Sequence, residues 1–368
     1  MQDEEKVIRL VIGGVEIRSW DSASIDSSID TPADSWSFSL FSEQDLSLPD
    51  SVRAGAKVQA YYGDELILTS VADAVNESCD RSGYGLKISG RDLAGQLIDC
   101  SVPIFNGRQV NLDVLLNQYV LGGELKSLFP KMQIQNNAWL KNKVSVEPGE
   151  SLWDAITKAA MVTGQHVWLD PDGTIRVGDP FASPILVKTA LKLHRDGLEN
   201  NVLDASYDED ISNVFSDIRL LSQDSKAQNI LSSTKAETQF NFNRLKLITL
   251  PDAETKSEAD AALEKIKKDN NLQAYALMIN TSGWDIDNRI WATGMYLNFE
   301  TDRLNRATAK WAVYGRKFTF SRMAGKRTTL KLHRQGDWAQ PLKHKEKTKP
   351  IAKKSKSKTS TSKVNTNE

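Results

Sequence analysis

The chain has 368 residues, a mass of 41.0 kDa and a formal net charge of -1. With 40% hydrophobic and 26% charged residues it reads as a folded protein of roughly two or three domains. A wholly disordered chain, a collagen-like repeat and a disulfide scaffold are excluded; the cysteines are Cys79 and Cys100 alone.

The charge is unevenly spread. Lys343 to Glu368 holds nine lysines and two glutamates, a net +7, which leaves residues 1–342 at about -8. No run approaches the ~18 apolar residues that span a bilayer, so no membrane span is expected. The opening Met1-Gln2-Asp3-Glu4-Glu5-Lys6 lacks the basic start and apolar run of a secretory signal. Cytoplasmic synthesis and two reduced thiols are the expectation.

In chain order, Val7–Ile12 and Val15–Arg18 flank Gly13-Gly14, the pattern of a β-hairpin. Trp36, Phe38 and Leu40 alternate onto one strand face. Val58–Tyr62, Leu66–Leu68 and Tyr84–Ser89 add further short strands, the pattern of a compact β-barrel or sandwich. Asp92 then caps a short helix with Leu93, Leu97 and Ile98 on one face, and a second helix is expected over Leu112–Val120. Ser151-Leu152-Trp153-Asp154 is a capping box that opens a helix through Val162, which Gly164 ends. His166–Leu169 and Thr174–Val177 flank the turn Asp170-Pro171-Asp172-Gly173, so Val144–Gly178 reads as helix plus hairpin. Strands resume at Val214–Leu221. Ser222–Phe240 reads as a mobile loop or insertion. A helix starts at Ser257, and strands follow at Ala274–Ile279, Met295–Phe299, Lys310–Phe320 and Arg327–Arg334. Disorder is expected from about Gln340.

The fold class expected is therefore α+β and β-rich. It comprises an N-terminal β-barrel domain over 1–103 and a mixed α/β domain over 104–186 with the helix-hairpin unit at 144–178. A second barrel-type domain over 187–339, with a helix near 257–268, and a disordered Lys/Ser/Thr-rich tail over 340–368 complete it.

A search for chemistry finds little. His166, His194, His333 and His344 form no metal-binding spacing, and there is no phosphate loop, nucleophile elbow or dinucleotide fingerprint. Asp170/Asp172 and Asp285-Ile286-Asp287-Asn288 read as turns before they read as cation sites. No cofactor, metal or catalytic residue is expected. The nine tryptophans are dispersed, which fits core and subunit-interface anchors better than a stacking platform. The basic tail could supply salt-dependent nucleic-acid affinity, but no sequence-specific recognition is expected.

At Gly90-Arg91-Asp92 followed by Leu97-Ile98-Asp99-Cys100, the chain resembles the baseplate hub proteins of Mu-like contractile-tailed phages. Pro148-Gly149-Glu150-Ser151-Leu152-Trp153-Asp154-Ala155 with Asp170–Gly173 resembles the helix-hairpin unit of such hubs, which is similar to a LysM fold. Trp311-Ala312-Val313, Phe318, Gly325 and Thr328–Leu332 form the third point of resemblance. The resemblance implies a non-enzymatic structural protein with two tube-type β-barrel domains. It implies a homotrimeric ring that joins the tail tube to the central spike, assembled in the host cytoplasm and then part of the virion baseplate. Its partners would be further copies of itself, the spike, the tube protein and other baseplate proteins. Gly90, Arg91, Asp92, Leu97, Ile98, Asp99, Cys100, Trp153 and Asp154 are the residues that match family motifs, with a structural role. The alternative is a peptidoglycan-binding module or hydrolase acting through the LysM-like unit, with Trp153 and Trp168 exposed in a groove.

Overall fold

The structure is a computed structural model. It describes residues 6–29, 31–44, 47–103, 109–135, 144–221, 230–235, 243–250, 255–272 and 274–334. The tail expected to be disordered, 340–368, lies outside these residues, as do Trp139, Trp338 and His344.

Seven strands open the chain: β1 (Ile8–Ile12), β2 (Val15–Ile17), β3 (Ser22–Ser28), β4 (Ser35–Ser42), β5 (Lys57–Tyr62), β6 (Glu65–Asp80) and β7 (Gly83–Asp92). Alternation sets their inner face. Ile8, Leu10 and Ile12 of β1 point into the core, as do Trp36 and Phe38 of β4. The β1–β2 hairpin needs its glycines: Gly13 and Gly14 have φ of +56° and +83°, and a Cβ on Gly13 would sit 2.1 Å from the Ser51 carbonyl oxygen.

The middle of the chain contains α1 (Ala94–Asp99), β8 (Gln109–Val110), a wide π-type helical stretch at Val114–Val120, β9 (Met132–Ile134), β10 (Val144–Ser145), α2 (Leu152–Val162), β11 (His166–Leu169) and β12 (Ile175–Gly178). Ser151 caps α2 by accepting the Asp154 N–H at 3.0 Å, while its hydroxyl donates to the Asp154 carboxylate at 2.8 Å. β11 and β12 form the expected hairpin, and β9 pairs parallel to β12. These elements share one core, in which Leu97, Leu116, Trp153, Ile156 and Ile175 are buried.

The last third holds β13 (Ile185–Leu186), β14 (Leu191–Leu193), β15 (Asp204–Glu209), β16 (Asp217–Leu221), β17 (Ile230–Lys235), β18 (Leu245–Thr249), α3 (Lys256–Leu272), β19 (Tyr275–Ser282), β20 (Asp285–Ile286), β21 (Arg289–Ile290), β22 (Met295–Thr301), β23 (Ala309–Ser321) and β24 (Gly325–Arg334). One expectation is corrected here. Ser222–Phe240 contains β17, which pairs antiparallel with β16; residues 222–229 and 236–240 lie outside the described residues. Polar Ser232, Ser233 and Thr234 hide this strand from a hydrophobicity reading, and tertiary pairing overrides composition.

The β-rich α+β class holds. The two strand-rich blocks are not separate sheets, however. One 14-stranded sheet runs β15-β19-β24-β23-β3-β4-β7-β6-β5-β1-β2, with β22 also on β23 and carrying β13 and β14. The join is β23 against β3, antiparallel from Gly315↔Ser28 to Ser321↔Ser22. A single core lies beneath both blocks, from Leu10 and Phe38 at one end to Trp284, Trp311 and Leu330 at the other. Six of the described tryptophans are buried: Trp20, Trp36, Trp153, Trp284, Trp291 and Trp311. Four of these indoles donate to backbone carbonyls: Trp20 to Ile17, Trp36 to Arg91, Trp284 to Thr319 and Trp311 to Ala307.

Candidate functional site

The residues that match hub motifs converge on a seam between the three regions. At the end of β7, Gly90 leaves room for Trp36: a Cβ there would lie 2.9 Å from the indole ring and 2.8 Å from the Val71 carbonyl oxygen. The Trp36 indole N–H donates to the Ser70 hydroxyl at 2.8 Å, and that hydroxyl donates to the Arg91 carbonyl. The close approach explains why glycine stands at this position.

Arg91 is a two-sided clamp. Its Nε and backbone N–H both donate to Asp73 Oδ2 at 3.0 Å. Its two terminal nitrogens hold Asp99 in a bidentate pair at 3.0 and 2.7 Å. The clamp therefore ties β6 and β7 to α1. The Arg91 hydrogen bonds hold the Asp99 carboxyl below its usual range.

Asp92 turns inward. Its side chain accepts the Ala94 N–H at 3.0 Å, but the expected N-cap role is corrected: α1 begins at Ala94, its N-cap is Leu93, and Asp92 sits one residue before that cap. Its backbone N–H donates to the Asp34 carbonyl at 2.8 Å. Asp34 and Asp92 line a narrow cleft of about 130 Å³ together with Leu93, Trp168, Pro171 and Arg316. The N-terminal strands, the β11–β12 turn and β23 all meet at this cleft. Solvent reaches it, yet both carboxylates are densely enclosed. Burial raises both pKa values, and for Asp92 the neighbouring Asp34 charge raises it further. Arg316 is the counter-charge. It is 6% exposed, its guanidinium stacks over the Phe318 ring at 4.0 Å, and its Nη1 has no hydrogen-bond partner. Burial pulls its pKa down to about 10, and Asp34 and Asp26 oppose that shift.

The Leu97-Ile98-Asp99-Cys100 segment and the start of α2 lie side by side. The Leu152 N–H donates to the Cys100 carbonyl at 2.8 Å and the Val102 N–H to the Glu150 carbonyl at 2.9 Å. Leu97 and Trp153 are buried in the shared core, Ile98 is half-buried and Asp154 is exposed at the α2 cap. Cys79 and Cys100 are free thiols, and burial raises the Cys100 pKa.

Sequence reasoning missed Arg316 and Asp34. The usable signal for Arg316 was its place two residues before Phe318, which puts both on one strand face. For Asp34 there was none. The site can position and balance charge, but it brings together no nucleophile with a base. Among the described residues there is no group of three or more metal-ligating side chains, and no helix is long and apolar enough to cross a membrane.

Residues 7–92 match the N-terminal domain model of Mu phage baseplate assembly protein GpP-like, and residues 94–179 match the second-domain model of baseplate hub protein gp44-like. The tail protein from Neisseria meningitidis MC58 is 27% identical, with a TM-score of 0.69 over 91% of this chain and 99% of that one. The 43 kDa tail protein of prophage MuSo2 from Shewanella oneidensis is 17% identical, with a TM-score of 0.74 over 89% and 98%. The prophage tail protein gp18 from Listeria monocytogenes shares the fold at 11% identity and a TM-score of 0.59, over 89% and 94%. No curated protein matches. The resemblance read from the motifs holds as a likeness: residues 7–92 match a Mu-type baseplate assembly protein domain and residues 94–179 a baseplate hub protein domain.

Proposed function

We propose that the chain is the structural hub subunit of a contractile tail, a non-catalytic protein that forms a homotrimeric ring between the tail tube and the central spike. The observation that carries the reading is the shared sheet. Two strand-rich blocks of one chain are locked into a single rigid body through β3 and β23. Three such bodies would present six similar strand-rich blocks to a sixfold tube and a threefold face to a spike. The domain division into 1–103, 104–186, 187–339 and 340–368 belongs to this proposal, as does the structural role of Gly90, Arg91, Asp92 and Asp99 at the seam. Assembly would take place in the host cytoplasm before incorporation into the virion.

Of the two tryptophans that the peptidoglycan reading places exposed in a groove, Trp153 is 6% exposed and packed into the core, while Trp168 is half-buried and lines the cleft beside Asp34 and Asp92. Light scattering after size exclusion tests the proposal. A species of three times 41.0 kDa, about 123 kDa, that co-elutes with tube or spike protein is the expected result. A chain that stays at 41.0 kDa with both partners present would refute it.

A further inference from the structure

One edge of the large sheet is open. β15 pairs with β19, and no strand pairs with its other side among the described residues. Ala205 and Tyr207 pack on the core, so Asp204, Ser206 and Asp208 share the outer, exposed face. On that face Met278 of β19, opposite Ser206, is 50% exposed. Glu209 pairs with Arg306 at 3.0 Å, whereas neither Asp204 nor Asp208 has a cation within 4.0 Å among the described residues.

The last described residue, Arg334, lies at one end of this edge. β15 and β24 both run antiparallel to β19, so they point the same way. Glu209 stands opposite Tyr275, and His333 stands opposite Ala276, so β24 leaves the sheet at the Glu209 end of β15. Arg334 Nη2 donates to the Tyr207 hydroxyl at 2.9 Å, and its guanidinium lies 4.3 Å from the centre of the Tyr275 ring.

The sequence that follows carries a pattern matched to β15. Lys343, Lys345, Lys347 and Lys349 alternate with His344, Glu346 and Thr348. In an extended strand all four lysines fall on one face. Pro350, which has no N–H to donate to a ladder, ends the run. Nine residues carry the chain from Arg334 to Lys343, a reach of about 30 Å when extended. A strand added beyond β15 lies three strand spacings from β24, about 14 Å, so the connection is long enough.

We propose that residues 343–349 of the same chain return beside β15 and pair antiparallel with its open edge. A chain that leaves at the Glu209 end and comes back along β15 has that direction. Charge sets the register. With the lysines on the outer face they stand opposite or diagonal to Asp204 and Asp208; a slip of one residue would put Glu346 there instead. Other occupants fit less well. A second β15 would oppose acid to acid, and a nucleic acid would meet carboxylates. The added strand also covers a row of backbone groups that would otherwise template stray pairing. The contact lies within one chain, so it does not depend on the ring reading.

The test is zero-length carbodiimide cross-linking of the full chain, which joins a lysine amine to a carboxylate in contact with it. Products are separated on a denaturing gel and mapped by mass spectrometry. Links from Lys343–Lys349 to Asp204 or Asp208 are expected in the 41.0 kDa band, where any link is within one chain. No such link would overturn the proposal. Links found only at about 82 kDa, twice 41.0 kDa, would overturn it too, because the strand would then come from another copy. Hydrogen exchange gives a second readout. Changing all four lysines to glutamate should speed exchange of the outward-facing β15 amides about tenfold. Adding Asp204→Lys and Asp208→Lys to that chain should restore protection, because the signs match again. Exchange unchanged by the four substitutions would refute the pairing.

Discussion

The β3–β23 seam and the small β17-β16-β18 sheet are both built from strands, yet they are held in different ways. At the seam, two faces of a long sheet close over one core in which Phe318 and Trp284 stack with ring centroids 4.9 Å apart. Among the described residues the small sheet is covered on one face, by α3. Ala259 packs on Leu220, and the Ser232 hydroxyl meets the Asp260 carboxylate. On its other face Leu245 and Leu247 are 52% and 57% exposed. Strand pairing alone therefore does not decide rigidity; the number of buried faces does.

The contrast gives an ordered set of expectations. Trp311→Ala empties a fully buried site and should cost about 3–5 kcal/mol in denaturant unfolding. A loss below ~1 kcal/mol would mean the common core is not one cooperative unit. Gly13→Ala forces a side chain into a left-handed turn and against Ser51, with an expected loss of about 1–3 kcal/mol by the same measurement. Arg91→Ala should cost about 1–2 kcal/mol, discounted because its partners are partly solvated, and should raise the Asp99 pKa in a carboxylate titration by NMR.

The carboxylates of the cleft set a pH dependence of opposite sign to that of Asp99. Asp34 and Asp92 bind protons more tightly in the folded chain than in the unfolded one. Their contribution is complete below the unfolded value of about 3.9 and is lost as pH rises through their raised folded values. For Asp99, lowered by Arg91, stability is present above the unfolded value and lost as pH falls through the folded one. Asp92→Asn should therefore flatten the decline in thermal midpoint as pH rises above the unfolded value of about 3.9. An unchanged slope would place the proton linkage outside the cleft. Smallest of all, Leu247→Ser on the open face should change stability by less than about 0.5 kcal/mol.

Local chemistry made much of this fold legible. The Gly13-Gly14 hairpin, the Ser151 cap and the Asp170–Gly173 turn each depend on residues within a few positions, and each formed as read. The Gly90-Arg91-Asp92 motif was also visible, but its purpose was not. Trp36 and Asp73 come from other strands, and Arg316 lies more than two hundred positions away. Period-two patterning placed β23 as a strand, whereas no strand was read over the serine-rich β3, and nothing local said that the two pair. That choice is made by the shape of the shared core. β17 was missed because its serines and threonine carry no apolar signal, although its backbone completes a ladder with β16.

The register of the seam also has a mechanical meaning. β3 and β23 overlap along seven consecutive pairs and run antiparallel. A force that draws the two blocks apart along the strand axis loads those hydrogen bonds together, as in a lap joint, instead of peeling them one at a time. β23 continues past the overlap to pair with β22, so tension entering at Ser22–Ser28 passes along one unbroken strand into the far block. The chain thus behaves as a single girder along that axis, and its compliance is confined to the regions that the joint does not cross.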